Sequence, residues 1–203
     1  MIPVDGTPGM HATAVYLLSF LDLAFVALLP LIFFERGRLN LRWFLTALPF
    51  MVGLVTLGLA MAGLVAPVRI EAGWLAGLTL GGVVSCCGSI ALIATTIGAH
   101  KVPLALWHQE RDAPADIVMH GPYARVRHPF YSAFLLGLGG TVMILPHPIT
   151  VAMLLYAAVA LTLTAAHEER RLAGSDFGAK YRAYMRRTGR FLPRMGAGVR
   201  ERA

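Results

Sequence analysis

Five stretches of this chain are too long and too apolar to be packed inside a small soluble core. No charged side chain occurs from Trp43 to Ala66, from Ala72 to Ala99, from Pro129 to Leu145 or from Ile149 to His167. Ala12 to Phe34 carries a single charge, Asp22. Runs of this kind read as membrane-spanning helices, because in hydrocarbon a helix satisfies its backbone N–H and C=O groups within one segment. Charged residues are only 14% of the chain, against about a quarter in soluble domains, which argues against a soluble globule. The expected fold is an all-α integral membrane protein with about five transmembrane helices. The last two form a tight hairpin through Pro146-His147-Pro148, followed by a short amphipathic cytoplasmic helix. We read one membrane domain over 1–203, with three N-terminal spans in 1–99 and a connector, hairpin and basic tail in 100–193.

The basic residues orient the chain. Of 18 Lys and Arg, only Arg69 falls in a segment on the N-terminal side; the others lie in the first loop, the third connector and the tail. The positive-inside rule then makes that side cytoplasmic, with the N-terminus outside, as in a bacterial cytoplasmic membrane. The net charge of +7 borders apolar segments rather than forming a folded basic domain, so it points to membrane lipids and not to nucleic acid. No Lys or Arg precedes the first apolar run, and no removable signal peptide is expected. Cys86 and Cys87 are adjacent, which suits neither a disulfide framework nor a spaced metal site, and no metal is expected.

Two features inside the spans bear on packing. Gly73, Gly77, Gly81, Ser85 and Ser89 recur every four residues, a stripe that lets another helix approach closely. Asp22 lies near the middle of the first span, where an unpaired carboxylate is expensive, so a partner on another helix or a functional role is expected.

Polar chemistry gathers elsewhere. Gly121 to Tyr131 reads Gly-Pro-Tyr-Ala-Arg-Val-Arg-His-Pro-Phe-Tyr, and Pro129 suits the first position of a helix. Arg127 and His128 would sit at that helix entrance, where free N–H groups and the dipole attract a carboxylate or phosphate. The last span ends in His167-Glu168-Glu169-Arg170-Arg171. An antiparallel hairpin brings the start of one helix beside the end of the other, so Tyr123, Arg127, His128, Tyr131, Glu168 and Glu169 should converge. In the tail, Phe177, Tyr181 and Tyr184 share one helical face opposite Lys180, Arg182 and Arg186, the pattern of a helix lying on a membrane surface.

Gly121-Pro122-Tyr123, Arg127-His128-Pro129-x-Tyr131, Glu168-Glu169-x-x-Leu172, Phe177-Gly178-x-x-Tyr181-x-x-Tyr184 and Arg190-Phe191-Leu192-Pro193 occur in that order. Together they resemble the isoprenylcysteine carboxyl methyltransferase superfamily, which includes membrane phospholipid methyltransferases. The resemblance covers about Ile117 to Pro193. It implies a membrane methyltransferase using S-adenosylmethionine, with Tyr123, His128, Pro129, Tyr131 and one of Glu168 and Glu169 at the cofactor. Asp116, Ile117 and Val118 would supply backbone contacts, with His108 or Gln109 a weaker candidate, and Glu168 and Arg127 are the candidate catalytic pair. The expected acceptor is a lipophilic small molecule or lipid. Where eukaryotic prenylcysteine methyltransferases place an Arg, one turn before the Glu pair, this chain reads Leu161-Thr162-Leu163-Thr164-Ala165-Ala166. That departure argues against a prenylcysteine carboxylate as acceptor. The competing readings are an NADPH-dependent membrane reductase of the sterol reductase type, whose hairpin is similar, and a non-catalytic membrane scaffold. Oligomeric state is not encoded in any of these features.

Overall fold

The structure is a computed structural model. It describes residues 10–28, 34–35, 38–39, 41–99 and 117–194. Among these the secondary structure is helical apart from one small ladder. The helices are α1 (Met10–Leu28), α2 (Leu41–Met61), α3 (Ala72–Gly98), α4 (Pro129–Ile144), α5 (Pro148–Ala173) and α6 (Gly178–Arg187), with a 3-10 turn at Gly121–Ala124. Phe34–Glu35 (β1) and Arg38–Leu39 (β2) pair antiparallel, Phe34 opposite Leu39 and Glu35 opposite Arg38.

Four helices are long and apolar enough to cross a membrane: α1, α2, α3 and α5. Only 22% to 39% of each span is buried, and Leu21, Val55, Leu80, Val84 and Leu155 stand exposed. Apolar side chains facing outward at this density require lipid as solvent, so this is a multi-pass membrane protein. The fifth apolar helix, α4, has 16 residues. At about 1.5 Å per residue it reaches roughly 24 Å, short of a roughly 30 Å hydrocarbon core.

Several boundaries differ from the sequence expectation for local reasons. α1 is described as far as Leu28, and Phe34, expected inside the first span, sits in β1. α2 ends at Met61 rather than Ala66, because Gly63 turns the chain at φ 75° and Leu64 N–H returns to the Leu59 carbonyl. That is a glycine-terminated helix end. α5 continues past His167 to Ala173, which keeps Glu168 and Glu169 on a helix and puts Arg170 and Arg171 in its last turn, where cations favour the dipole.

The chain clusters into two compact units, Met1–Ala91 with Ala133–Leu161 and Leu92–Ser132 with Thr162–Ala203. In the first, α1 packs on α2, with Leu23 and Leu57 fully buried and Phe50 edge-on to Phe134 at 5.6 Å. Pro49 sits inside α2, so the Leu45 carbonyl one turn back loses its helical donor. The Tyr156 hydroxyl donates to that carbonyl at 2.9 Å and replaces it. Asp22 is fully buried and finds its partner on α3: Ser89 Oγ donates to Asp22 Oδ1 at 2.9 Å. Ser19 and Thr141 share a second buried bond at 2.8 Å.

The small-residue stripe works over half its length. Gly73 and Gly77 have no neighbour within 4 Å, whereas a Cβ on Gly140 would lie 2.8 Å from Cys86 Sγ and 2.9 Å from the Gly82 carbonyl. The closest approach of α3 and α4 therefore runs through Ser85 and Ser89 of that stripe, with Gly82 and Cys86 beside them, against Gly140 and Gly137.

Candidate functional site

All the polar motifs meet within the second unit. Pro129 opens α4 without needing an N–H, and His128 precedes it in non-helical backbone. Tyr131, in the first turn of α4, donates its hydroxyl to Glu168 Oε1 at 2.8 Å, which pairs the start of α4 with the end of α5 as a hairpin requires. The His128 ring stacks parallel to Tyr131 with centroids 5.2 Å apart. Its Nδ1 lies 3.5 Å from Glu168 Oε2 and its Nε2 lies 3.3 Å from Glu169 Oε1. Nε2 is buried yet off-line for a hydrogen bond, and no described residue satisfies it.

The two glutamates divide. The Glu169 side chain is 3% exposed and lies between two guanidinium groups. Arg127 Nε donates to it at 2.8 Å and Arg190 Nη2 at 2.7 Å. The Glu168 side chain remains 35% exposed beside His128, whose side chain is 10% exposed. Arg127 is itself occupied: beyond Glu169, its Nη1 donates to the carbonyls of Met185 and Thr188. It fastens the motif to the tail. Arg190, in return, is held more firmly protonated by its hydrogen bond to Glu169.

The tail is built into this unit. One parallel bridge pairs Val126 with Gly189. Arg127 N–H donates to the Gly189 carbonyl at 2.9 Å, His128 N–H to Arg190 at 3.1 Å, and Gly189 N–H to Arg125 at 3.2 Å. Ser132 Oγ donates to the Phe191 carbonyl at 2.7 Å, and the Phe191 ring stands edge-on to His128 at 6.1 Å and to Tyr131 at 6.4 Å. Gly189 has no room for a side chain, since a Cβ there would run into the Leu192 carbonyl.

The aromatic face of α6 points inward as well. Tyr181 and Tyr184 are 3% and 4% exposed, and the Tyr184 hydroxyl donates to the Tyr123 carbonyl at 2.7 Å. The helix is amphipathic as its sequence pattern suggested: these tyrosines bury against the motif and the basic face stays outside. Burial pushes the Tyr184 hydroxyl up to about 12, with Arg127 pulling the other way. Tyr123 and Tyr181 shift upward for the same leading reason. Arg182 caps α5 by donating to the Ala173 carbonyl at 2.6 Å.

Tyr123, Arg127, His128, Pro129, Tyr131, Glu168 and Glu169 thus lie in one unit with the tail. Ile117 and Val118 lead into it as half-buried, non-helical chain. Asp116, His108 and Gln109 lie outside the described residues. The residues not singled out in advance are Thr188 and Gly189; Arg190 and Phe191, which the sequence offered only as part of a closing motif, gain their partners here. A glycine between a helix end and an Arg-Phe pair was the available signal, but a single parallel bridge has no sequence period to announce it.

Residues 90–174 match the model of the isoprenylcysteine carboxyl methyltransferase family. The match takes in the motif from Gly121 to Tyr131 and both glutamates, bears out the resemblance over that segment and supports a membrane methyltransferase. No curated protein and no solved structure matches the chain.

Proposed function

We propose that the protein transfers a methyl group from S-adenosylmethionine to a lipophilic acceptor, at a site facing the cytoplasm. The observation that carries this reading is the His128–Tyr131–Glu168 cluster within the family-matched segment. It combines a buried, unsatisfied ring nitrogen, a stacked aromatic pair and a part-exposed carboxylate. Those groups fit the donor's own chemistry. An aromatic face suits its sulfonium, and a carboxylate suits its ammonium or ribose hydroxyls. When bound, S-adenosylmethionine supplies an electrophilic methyl group.

The residues of the chain then do the following. Glu168, the more exposed of the pair, takes the polar contact, and Tyr131 fixes its orientation through the 2.8 Å bond. Glu169 and Arg127 hold His128 and the tail in register and do not themselves meet the donor. Tyr181, Tyr184 and Phe191 exclude water from the cluster. Methyl transfer is an in-line displacement that depends on alignment and dryness, so no protein nucleophile is needed.

The acceptor is lipophilic and uncharged or amine-bearing, because the turn before Glu168 has no Arg to anchor an acceptor carboxylate. The deciding experiment is a titration of the purified protein with S-adenosylhomocysteine and, separately, NADPH. Binding of the first and not the second is expected; the reverse would establish the reductase reading. A labelled methyl donor offered with a prenylcysteine analogue, a phosphatidylethanolamine and a small hydrophobic thiol or amine then identifies the acceptor class. Labelling of the prenylcysteine carboxylate alone would overturn the acceptor assignment.

A further inference from the structure

A groove of about 290 Å³ lies beside Glu169. It is lined by Ala166, Glu169, Arg170, Ala173, Met185 and Arg190. Its floor is apolar: Ala166 and Ala173 are two helical turns apart on α5, and Met185 closes the other side from α6. Its charge is not balanced. Glu169 is shared between Arg127 and Arg190, so it cannot neutralise the groove as well. Arg190 spends Nε and Nη2 on Glu169, and among the described residues nothing engages its Nη1. Arg170 donates Nε to the Ala166 carbonyl at 3.1 Å, and among the described residues no carboxylate pairs with it. Two guanidinium groups therefore border one apolar-floored groove with a net positive charge. Guanidinium forks match phosphate geometry.

The position of the groove selects the source of that phosphate. It opens at the last turns of a membrane span, where His167 to Arg171 end the apolar run. One turn back on α5, Leu163 is 65% exposed and faces lipid. A ligand seated here has its anion at the headgroup level and an apolar surface above it.

We propose that this groove is a binding site for an anionic phospholipid, its phosphate held by Arg170 and Arg190 and its glycerol and upper acyl chain lying on Ala166, Ala173 and Met185. A free phosphate would use the two arginines but gain nothing from the floor. The site adjoins the His128 cluster through Glu169 and Arg190, but its phosphate contacts on Arg170 and Arg190 do not depend on the methyl-transfer reading.

The test is native mass spectrometry of the delipidated full chain, titrated with phosphatidylglycerol, phosphatidylcholine or inorganic phosphate. Wild type should retain phosphatidylglycerol in preference to phosphatidylcholine and should not be stripped by excess phosphate. Arg170→Gln removes one charge-assisted contact and should weaken phosphatidylglycerol retention about tenfold. Ala166→Leu, which fills the floor without touching charge, should weaken it as well. S-adenosylhomocysteine affinity should stay at the wild-type value in Arg170→Gln. Equal retention of the two lipids, full competition by inorganic phosphate, or unchanged retention in both variants would overturn the proposal. So would loss of S-adenosylhomocysteine affinity in Arg170→Gln with lipid retention intact, which would give the groove to the methyl donor.

Discussion

Replacing Glu169 tests the division of labour between the two glutamates. Its carboxylate is 3% exposed and accepts from Arg127, itself 10% exposed, and from Arg190. Truncating one member of a buried ion pair costs about 3–5 kcal/mol, because the partner left behind is charged and dry. Arg127 keeps the carbonyls of Met185 and Thr188, and Arg190, 35% exposed, can turn to water. Glu169→Ala should therefore fall at the low end, about 3 kcal/mol. Glu169→Gln preserves shape but loses the charge and turns one accepting oxygen into an NH2 donor facing a guanidinium, for which about 1.5–3 kcal/mol is the expected cost. Glu168→Gln provides the contrast. That side chain is 35% exposed, so the change should cost little stability while lowering S-adenosylhomocysteine affinity. The assay is denaturant unfolding in detergent alongside cofactor titration of the same preparations. A Glu169→Ala cost below about 1 kcal/mol, or a larger loss of stability in Glu168→Gln than in Glu169→Gln, would refute the argument.

His128→Ala should reduce S-adenosylhomocysteine affinity by roughly ten- to a hundredfold, and unchanged affinity with the fold intact would remove His128 from the site. Gly189→Ala drives a side chain into the Leu192 carbonyl and should cost about 1–3 kcal/mol, seen as faster proteolysis of the tail while the membrane helices persist. Tyr156→Phe should cost about 0.6–1.5 kcal/mol by orphaning the Leu45 carbonyl; in a Pro49→Ala background, where the helix supplies its own donor, the cost should vanish, and a double-mutant cycle decides it. The Tyr184 hydroxyl, raised from 10.0 to about 12, binds its proton more tightly when folded. Its contribution to docking the tail is therefore complete below the unfolded value and lost as pH climbs through the folded one. Tyrosinate absorbance should show a titration near the upper value that Tyr184→Phe removes.

Hydrophobic run length decided the membrane class, the number of apolar helices and the hairpin, because in lipid the backbone must satisfy itself locally and segments declare their structure one at a time. Pro146-His147-Pro148 and Pro129 marked the hairpin's turn and entrance for the same local reason. From those boundaries followed the meeting of Tyr131 with Glu168 and of Arg127 with Glu169. What the sequence did not carry was the allocation of partners. Glu168 and Glu169 are adjacent and identical, and only their directions off α5 send one to Tyr131 with part of its surface exposed and bury the other between two guanidinium groups. The aromatic face of α6 was visible as a pattern, but an apolar stripe fits lipid or protein equally well. The bridge from Val126 to Gly189 and the carbonyls capped by Arg127 and Tyr184 chose protein. Asp22 likewise announced that it needed a partner, while the choice of Ser89 depended on how close Gly137 and Gly140 let α4 approach α3. Local patterns specify elements because their physics is local; pairing between elements depends on distances of a few tenths of an ångström, and those exist only once the helices are packed.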